Sequence, residues 1–293
     1  MSFHPSPLTR KLMRDLWRIK GQAAAIGAVI AVGVMMLVMM TGLVASLGET
    51  RRAYYERYRL ADIFAPVTRA PETVAGALRH LPGVAAIQTR VAGSALVDLD
   101  GTALPVQARA LSLPDYRAPA LNTVYLTDGR MFDGDRADEV VVLRSFAIAH
   151  DLRPGDRITA TMNGFRRALT VVGFAQSPEF LYSTAPGEVV PDDARFAVLW
   201  MSRTALSAAY DMEGAFNEVL FALTRGTEPE AVIAAADRLL DRYGATGAYA
   251  LSDLESDKFI TEEIGGLKRS AGSVPPVFLA VAAFLLYIVI SRM

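Results

Sequence analysis

The chain has 293 residues, of which 52% are hydrophobic, a formal net charge of −1 and no cysteine. A near-neutral charge gives no general attraction to nucleic acid or to an acidic substrate. The lack of cysteine excludes disulfides, a thiolate nucleophile and cysteine-ligated zinc or iron–sulfur.

Residues 1–22 form a basic lead, expected in the cytoplasm or at the membrane interface. Leu12, Leu16 and Ile19 fall at i, i+4 and i+7, with Trp17 beside the stripe and Arg10, Lys11, Arg14, Arg18 and Lys20 around it. Residues 23–47 carry no charged side chain. As a helix they cover roughly 37 Å at about 1.5 Å per residue, enough to cross a hydrocarbon core of about 30 Å. They read as transmembrane helix 1, too long for the core of a signal peptide and without a clear cleavage site. Arg51, Arg52, Arg57 and Arg59 follow closely and nearly balance the basic lead. A large domain translocates largely regardless of its charges, so the short N-terminal flank sets the orientation, with its cations in the cytoplasm.

Residues 48–270 have scattered charges and enough length for a sizeable core, and are expected as an extracytoplasmic domain entered and left by stalk helices. Residues 49–60 continue the first helix with Tyr54 and Tyr58 on one face. Residues 62–67 read as a strand, 71–81 as a helix and 84–99 as a strand region, broken at Pro82-Gly83. Near the far end come a strand at 217–224, a capping box at Thr227-Glu228-Pro229-Glu230, a helix at 232–243 stopped by Gly244, and a strand at 248–251. Two β-α-β units, one from each flank, predict a split α/β sandwich.

Between them, residues of about 100–215 read as an inserted β-rich subdomain. Asp100-Gly101 and Asn163-Gly164 have the chemistry of two-residue hairpin turns. Strands are expected at 139–143, 156–162, 166–174 and 196–201, and short helices at 145–152 and 202–210. The fold class is α+β, with two transmembrane helices flanking this composite domain.

Ser252-Asp253-Leu254-Glu255 has the form of a capping box. The helix it would open carries Ile260, Ile264 and Leu267 on one stripe, with Gly265-Gly266 as a hinge. Residues 271–290 are charge-free, start beside Pro275-Pro276 and form transmembrane helix 2. Residues 291–293 are its cytoplasmic end.

No phosphate loop, Gly-x-Ser-x-Gly elbow or His-Glu-x-x-His helix occurs. His4, His80 and His150 have no metal-site spacing. Asp192-Asp193 and Glu262-Glu263 read as solvated acids, since sequence neighbours do not face one another. Met35, Met36, Met39 and Met40 suit helix packing in the bilayer. No catalytic, cofactor-binding or metal-ligating residue is therefore expected, and the chain is not expected to be an enzyme.

The block from Asp128 to Glu179 has a distinctive order. It contains Gly129-Arg130-Met131-Phe132, Glu139-Val140-Val141, Gly155-Asp156-Arg157-Ile158, Val171-Val172-Gly173 and Ser177-Pro178-Glu179. Set between two spans, it resembles the periplasmic core domain of the MacB/FtsX-like family of ABC transporter permeases. Pro178-Glu179-Phe180, residues 191–196 and residues 212–217 resemble one bacterial branch of that family.

The resemblance implies structural positions rather than catalytic ones. Gly129, Gly155 and Gly173 would allow tight turns or close backbone approach, Asp156 would cap its turn and Phe132 would fill the core. It implies a permease subunit in a bacterial inner membrane, multi-pass, exporting or mechanically transmitting to a lipophilic or peptide cargo. A separate ABC ATP-binding subunit would bind the ATP, and this chain would hold no cofactor. A second permease copy or homo-oligomer, a periplasmic adaptor and membrane lipids are the other partners implied, with no nucleic acid. Such permeases continue past the second span, so the chain is expected to be a fragment or a truncated product. The rival readings are a two-span sensor or receptor with an extracytoplasmic ligand-binding domain and, behind it, a membrane-anchored enzyme.

Overall fold

A computed structural model describes residues 14, 17, 20–99, 105–183 and 192–291. His4 and the Asp100-Gly101 turn lie outside them. The chain divides into two compact units, one built from residues up to Arg51 and from Thr261 onward, the other from Arg52–Ile260.

The first unit is helical. Helix α1 runs Lys20–Arg57, and helix α6, the last of the chain, runs Glu255–Ser291. Both are long and apolar enough to cross a membrane, and only 12% and 11% of their apolar windows are buried in the protein. That exposure sets them apart from the core helices of a soluble domain. They meet closely at Gly33, where an added Cβ would lie 3.0 Å from Leu279 Cδ2. Arg51 Nη1 donates to Thr261 Oγ1 at 2.7 Å.

Two local expectations for α6 are corrected. The helix begins at Glu255, after a 3₁₀ turn at Leu251–Asp253, so Ser252 sits inside that turn and does not cap the helix. Gly265-Gly266 does not interrupt it, and the helix also continues through Pro275 and Pro276.

The second unit holds two sheets. In the four-stranded sheet, β1 (Ile63–Pro71) and β10 (Ala215–Leu223) are central, β2 (Val84–Arg90) lies beside β10, and the short β11 (Tyr249–Ala250) lies beside β1. All neighbours are antiparallel. The strands joined through α2 (Val74–Arg79) therefore leave a gap filled by β10. Those joined through α5 (Pro229–Leu240) leave one filled by β1. This is the predicted split β-α-β arrangement.

The alternation of β1 sends Ile63 and Ala65 toward Leu78, Val232, Ala236 and Leu240 of the helices, and Phe64 the other way, toward Leu60, Leu121 and Leu220. Each fully buried large side chain contributes about 1.5–3 kcal/mol. Several bounds differ from expectation. Strand β1 continues to Pro71, across an irregularity between Pro66 and Ala70, so α2 starts only at Val74. Helix α5 starts at Pro229 with no side-chain cap, and Thr227 Oγ1 instead pairs with Thr224 Oγ1 at 2.8 Å.

The seven-stranded sheet comprises β3 (Ala92–Asp98), β4 (Val106–Leu113), β5 (Tyr125–Gly129), β6 (Glu139–Leu143), β7 (Arg157–Met162), β8 (Phe165–Gln176) and β9 (Phe196–Ser202). Its order is β5-β8-β6-β9-β4-β3-β7, and β7 also pairs with β8, so six strands close into a ring. Closure removes the edges that an open sheet would leave unpaired. Val140, Ala160, Val171 and Leu199 fill the core. Short helices α3 (Arg144–Ala149) and α4 (Arg203–Ala209) follow β6 and β9. The strand region expected over 84–99 is two strands, one in each sheet, with the chain changing sheets at Val91.

Candidate functional site

The residues that join the two sheets, and join both to the ends of the long helices, lie within the second unit. Arg90 ends β2 with only 4% of its surface exposed, a position that requires partners for its charge. Its Nη1 and Nη2 donate to the two oxygens of Glu179 at 2.8 and 2.5 Å, and its Nε donates to Glu218 Oε2 at 2.5 Å. Arg109 of β4 donates to the other Glu218 oxygen at 3.0 Å. Two guanidiniums thus balance two carboxylates. Burial opposes the charge of Arg90, but Glu179 and Glu218 outweigh it and hold the group above the ordinary arginine range. Burial likewise opposes the charge of Glu218, and Arg90 and Arg109 outweigh it, leaving that carboxyl below the usual carboxylate range.

Asn122 connects this network to the segment just after the first helix. Its Nδ2 donates to Glu179 at 2.6 Å, its Oδ1 accepts from Ala61 N at 2.8 Å, and its own N–H donates to Arg59 O at 2.9 Å. The last helix reaches the same segment from the other side. Tyr182 N donates to Ser256 Oγ at 3.1 Å, and the Tyr182 ring stacks on Phe259 with centroids 3.5 Å apart. Tyr55 near the end of α1 donates to Asp257 Oδ1 at 2.9 Å. Residues 177–182, leaving the long strand β8, are therefore held directly by α6 and, through Asn122, by the segment that follows α1. Ser177 Oγ accepts from Glu179 N and starts the 3₁₀ turn Pro178–Phe180 that aims Glu179 at Arg90.

Residues 27–239 match the family model of the MacB-like periplasmic core domain. The chain belongs to this family. No curated protein matches it. Among solved structures it is similar to the extracellular domain of the noncanonic ABC-type transporter YknZ from Gram-positive bacteria, at 12% identity and TM-score 0.41, over 65% of this chain and 98% of that one. It is also similar to the periplasmic region of MacB from Actinobacillus actinomycetemcomitans, at 10% identity and TM-score 0.42, over 71% of this chain and 95% of that one.

In this MacB-like chain the motif residues have structural work. Gly129 has φ of 72°, and an added Cβ would lie 2.3 Å from Val172 O; at Gly173 it would lie 2.4 Å from Arg130 O. The two glycines let β5 and β8 approach, and Phe132 is buried in the core of the ring. Asp156 Oδ2 accepts from Arg153 N at 2.7 Å, which closes the turn around Gly155, φ 106°. Arg130 and Glu139 form a two-pronged pair at 2.7 and 2.5 Å. With Asp133 N also donating, hydrogen bonding from Arg130 holds the Glu139 carboxyl below its usual range.

The stalk residues singled out from sequence are only partly gathered here. Tyr54 and Tyr58 meet edge to face, 4.8 Å between centroids, and Tyr58 leads on to Tyr125 at 6.0 Å. Ile264, Leu267 and the glycine pair belong to the first unit. His80 Nδ1 pairs with Gly76 O and His150 Nε2 with Ala194 O, each at the C-terminal end of a short helix. Asp192 and Asp193 are exposed. Among the described residues no group of three or more His, Asp or Glu is placed to hold a metal ion.

Sequence reading missed Arg90, Glu218 and Asn122 as functional positions. The available signal was Glu218, a lone carboxylate inside the apolar strand AFNEVLFAL. Such a residue, if it faces inward, demands a cation from elsewhere in the chain.

Proposed function

We propose that the chain is the permease subunit of an ABC transporter, or its N-terminal part. It sits in a bacterial inner membrane with residues 48–270 outside the cytoplasm, residues 23–47 and 271–290 as spans, and residues 1–22 and 291–293 on the cytoplasmic side. A separate ATP-binding subunit supplies energy, and the long helices carry its motion to the core domain for export of, or mechanical action on, a lipophilic or peptide cargo. One observation carries this reading. In a chain of this family, two largely uncovered apolar helices end in a core domain where α6 grips residues 177–182 and the segment after α1 reaches them through Asn122, next to a buried charge network spanning both sheets. A movement of either helix end is then passed through neutral hydrogen bonds and a ring stack into the charge-assisted contacts that Arg90 makes with Glu179 and Glu218, and so to both sheets.

The experiment is purification of the protein from its native membrane in mild detergent, with its coding sequence as the genome carries it. An ATP-binding subunit is expected to copurify and to hydrolyse ATP. Its absence, under conditions that preserve other transporter complexes, overturns the reading.

A further inference from the structure

A groove of about 1320 Å³ separates the two sheets. The four-stranded sheet contributes Thr68 and Tyr249 to it, the ring contributes Leu96, Arg109 and Phe196, and Tyr182 also lines it. This volume exceeds the roughly 300–1,000 Å³ of ordinary small-molecule pockets. Its exposed surface is mostly apolar, and polar side chains are interspersed along it.

The charge within it is asymmetric. The carboxylates of Glu179 and Glu218 line the groove, but their side chains are 4% and 2% exposed, sealed by Arg90. The Arg109 side chain is 40% exposed. Only its Nη2 is engaged, by Glu218, so Nε and Nη1 have no protein partner among the described residues. The sheet walls therefore offer accessible, unused donors on a guanidinium whose charge Glu218 balances. Asp253 and Glu255 stand at the end near α6, Asp253 paired with Lys258 at 3.1 Å, and they disfavour an anion there.

We infer that this groove binds an amphipathic anion, a fatty carboxylate or alkyl phosphate, with its headgroup on Arg109 and its chain along Leu96 and Phe196. A guanidinium suits either oxyanion, because its planar N–H donors match both. An occupant reaching Tyr182 presses on the residue that stacks on Phe259 and donates to Ser256, so binding and the position of the first turns of α6 influence one another. The inference does not depend on the permease reading, which copurification tests separately.

The test uses the whole chain in lipid nanodiscs with three photoreactive diazirine probes of equal chain length: a fatty acid, an alkyl phosphate and a fatty alcohol. Adducts are mapped by peptide mass spectrometry. The inference expects saturable labelling of residues 92–109 and 161–164 by the acid or the phosphate, competed by the unlabelled compound. Whichever probe labels more identifies the headgroup. Arg109→Gln is expected to weaken labelling about tenfold, the effect of losing one charge-assisted contact, and Arg109→Lys to retain most of it. Leu96→Glu, at a position 43% exposed, blocks the chain without touching the charge network and is expected to lower labelling as much. Adducts confined to residues 20–57 and 255–291 overturn the inference. So does equal groove labelling by the alcohol, or undiminished labelling of both Arg109→Gln and Leu96→Glu.

Discussion

Arg90 carries its charge to the place where β2 ends and the chain passes into the other sheet. A buried pair of this kind rarely adds much net stability, because desolvating the ions offsets their attraction, but removing one partner strands the others. Arg90→Met is therefore expected to destabilise the domain by about 3–5 kcal/mol. The triple change Arg90→Met, Glu179→Met and Glu218→Leu should regain much of that loss. Urea unfolding followed by the fluorescence of Trp200, buried in the ring, measures both. Equal loss in single and triple variants would show that packing volume, not charge, sets the cost.

The same residues fix the response to acid. The folded Glu218 carboxyl lies below its unfolded value of about 4.3, so its contribution to stability is fully present above that value and is lost as pH falls through the folded one. Stability is expected to drop below about pH 4, and the drop should be smaller in Glu218→Gln, which starts lower. An identical acid slope in the two proteins would assign acid sensitivity to other groups, such as Glu139, which is shifted the same way.

The glycines make a further residue-scale contrast. Gly173→Ala places a Cβ against Arg130 O and is expected to cost about 1–3 kcal/mol. Gly272→Ala, with nothing within 4 Å, is expected to be neutral or stabilising by up to about 1 kcal/mol. Thermal unfolding in the same detergent compares them. The motif glycines, Asp156 and Phe132 were legible in sequence because turn and close-approach chemistry is local. Glu179 stood out only as part of a motif, and Arg90, Asn122 and Glu218 did not, because each is satisfied by residues 57 to 128 positions away.

At the scale of elements, the long helices, the split β-α-β units and the Asn163-Gly164 hairpin could be read from periodicity and turn residues. Strands β4 and β5 could not. The Val106–Leu113 run VQARALSL is weakened by alanine and a charge, and Tyr125–Gly129 is short with an irregular pairing. The sheet change at Val91 has no glycine or proline to announce it. The hinge expected at Gly265-Gly266 rested on glycine's weak helix propensity, yet the surrounding turns keep the helix regular. Pro275 and Pro276 lack the N–H groups that would bond Ala271 and Gly272 carbonyls, so the weakest hydrogen bonding in α6 lies there. Pro275→Ala with Pro276→Ala is expected to slow ATP hydrolysis by the assembled transporter, while Gly265→Ala with Gly266→Ala leaves it close to normal. The reverse ranking would return the hinge to the glycines.

At the scale of the whole molecule, the proposed function requires motion to pass from the helices into a core domain whose two sheets share one buried charge network. The protein has no native cysteine, so paired labels can be introduced without background. Glu56, near the end of α1, and Lys258, in the first turn of α6, are both exposed. Spin labels at Glu56→Cys and Lys258→Cys, in the complex with its ATP-binding subunit in nanodiscs, give the distance distribution between the two helix ends by pulsed electron resonance. The account predicts that the distribution shifts between the nucleotide-free and ATP-trapped states. Superimposable distributions in a complex that hydrolyses ATP would contradict it.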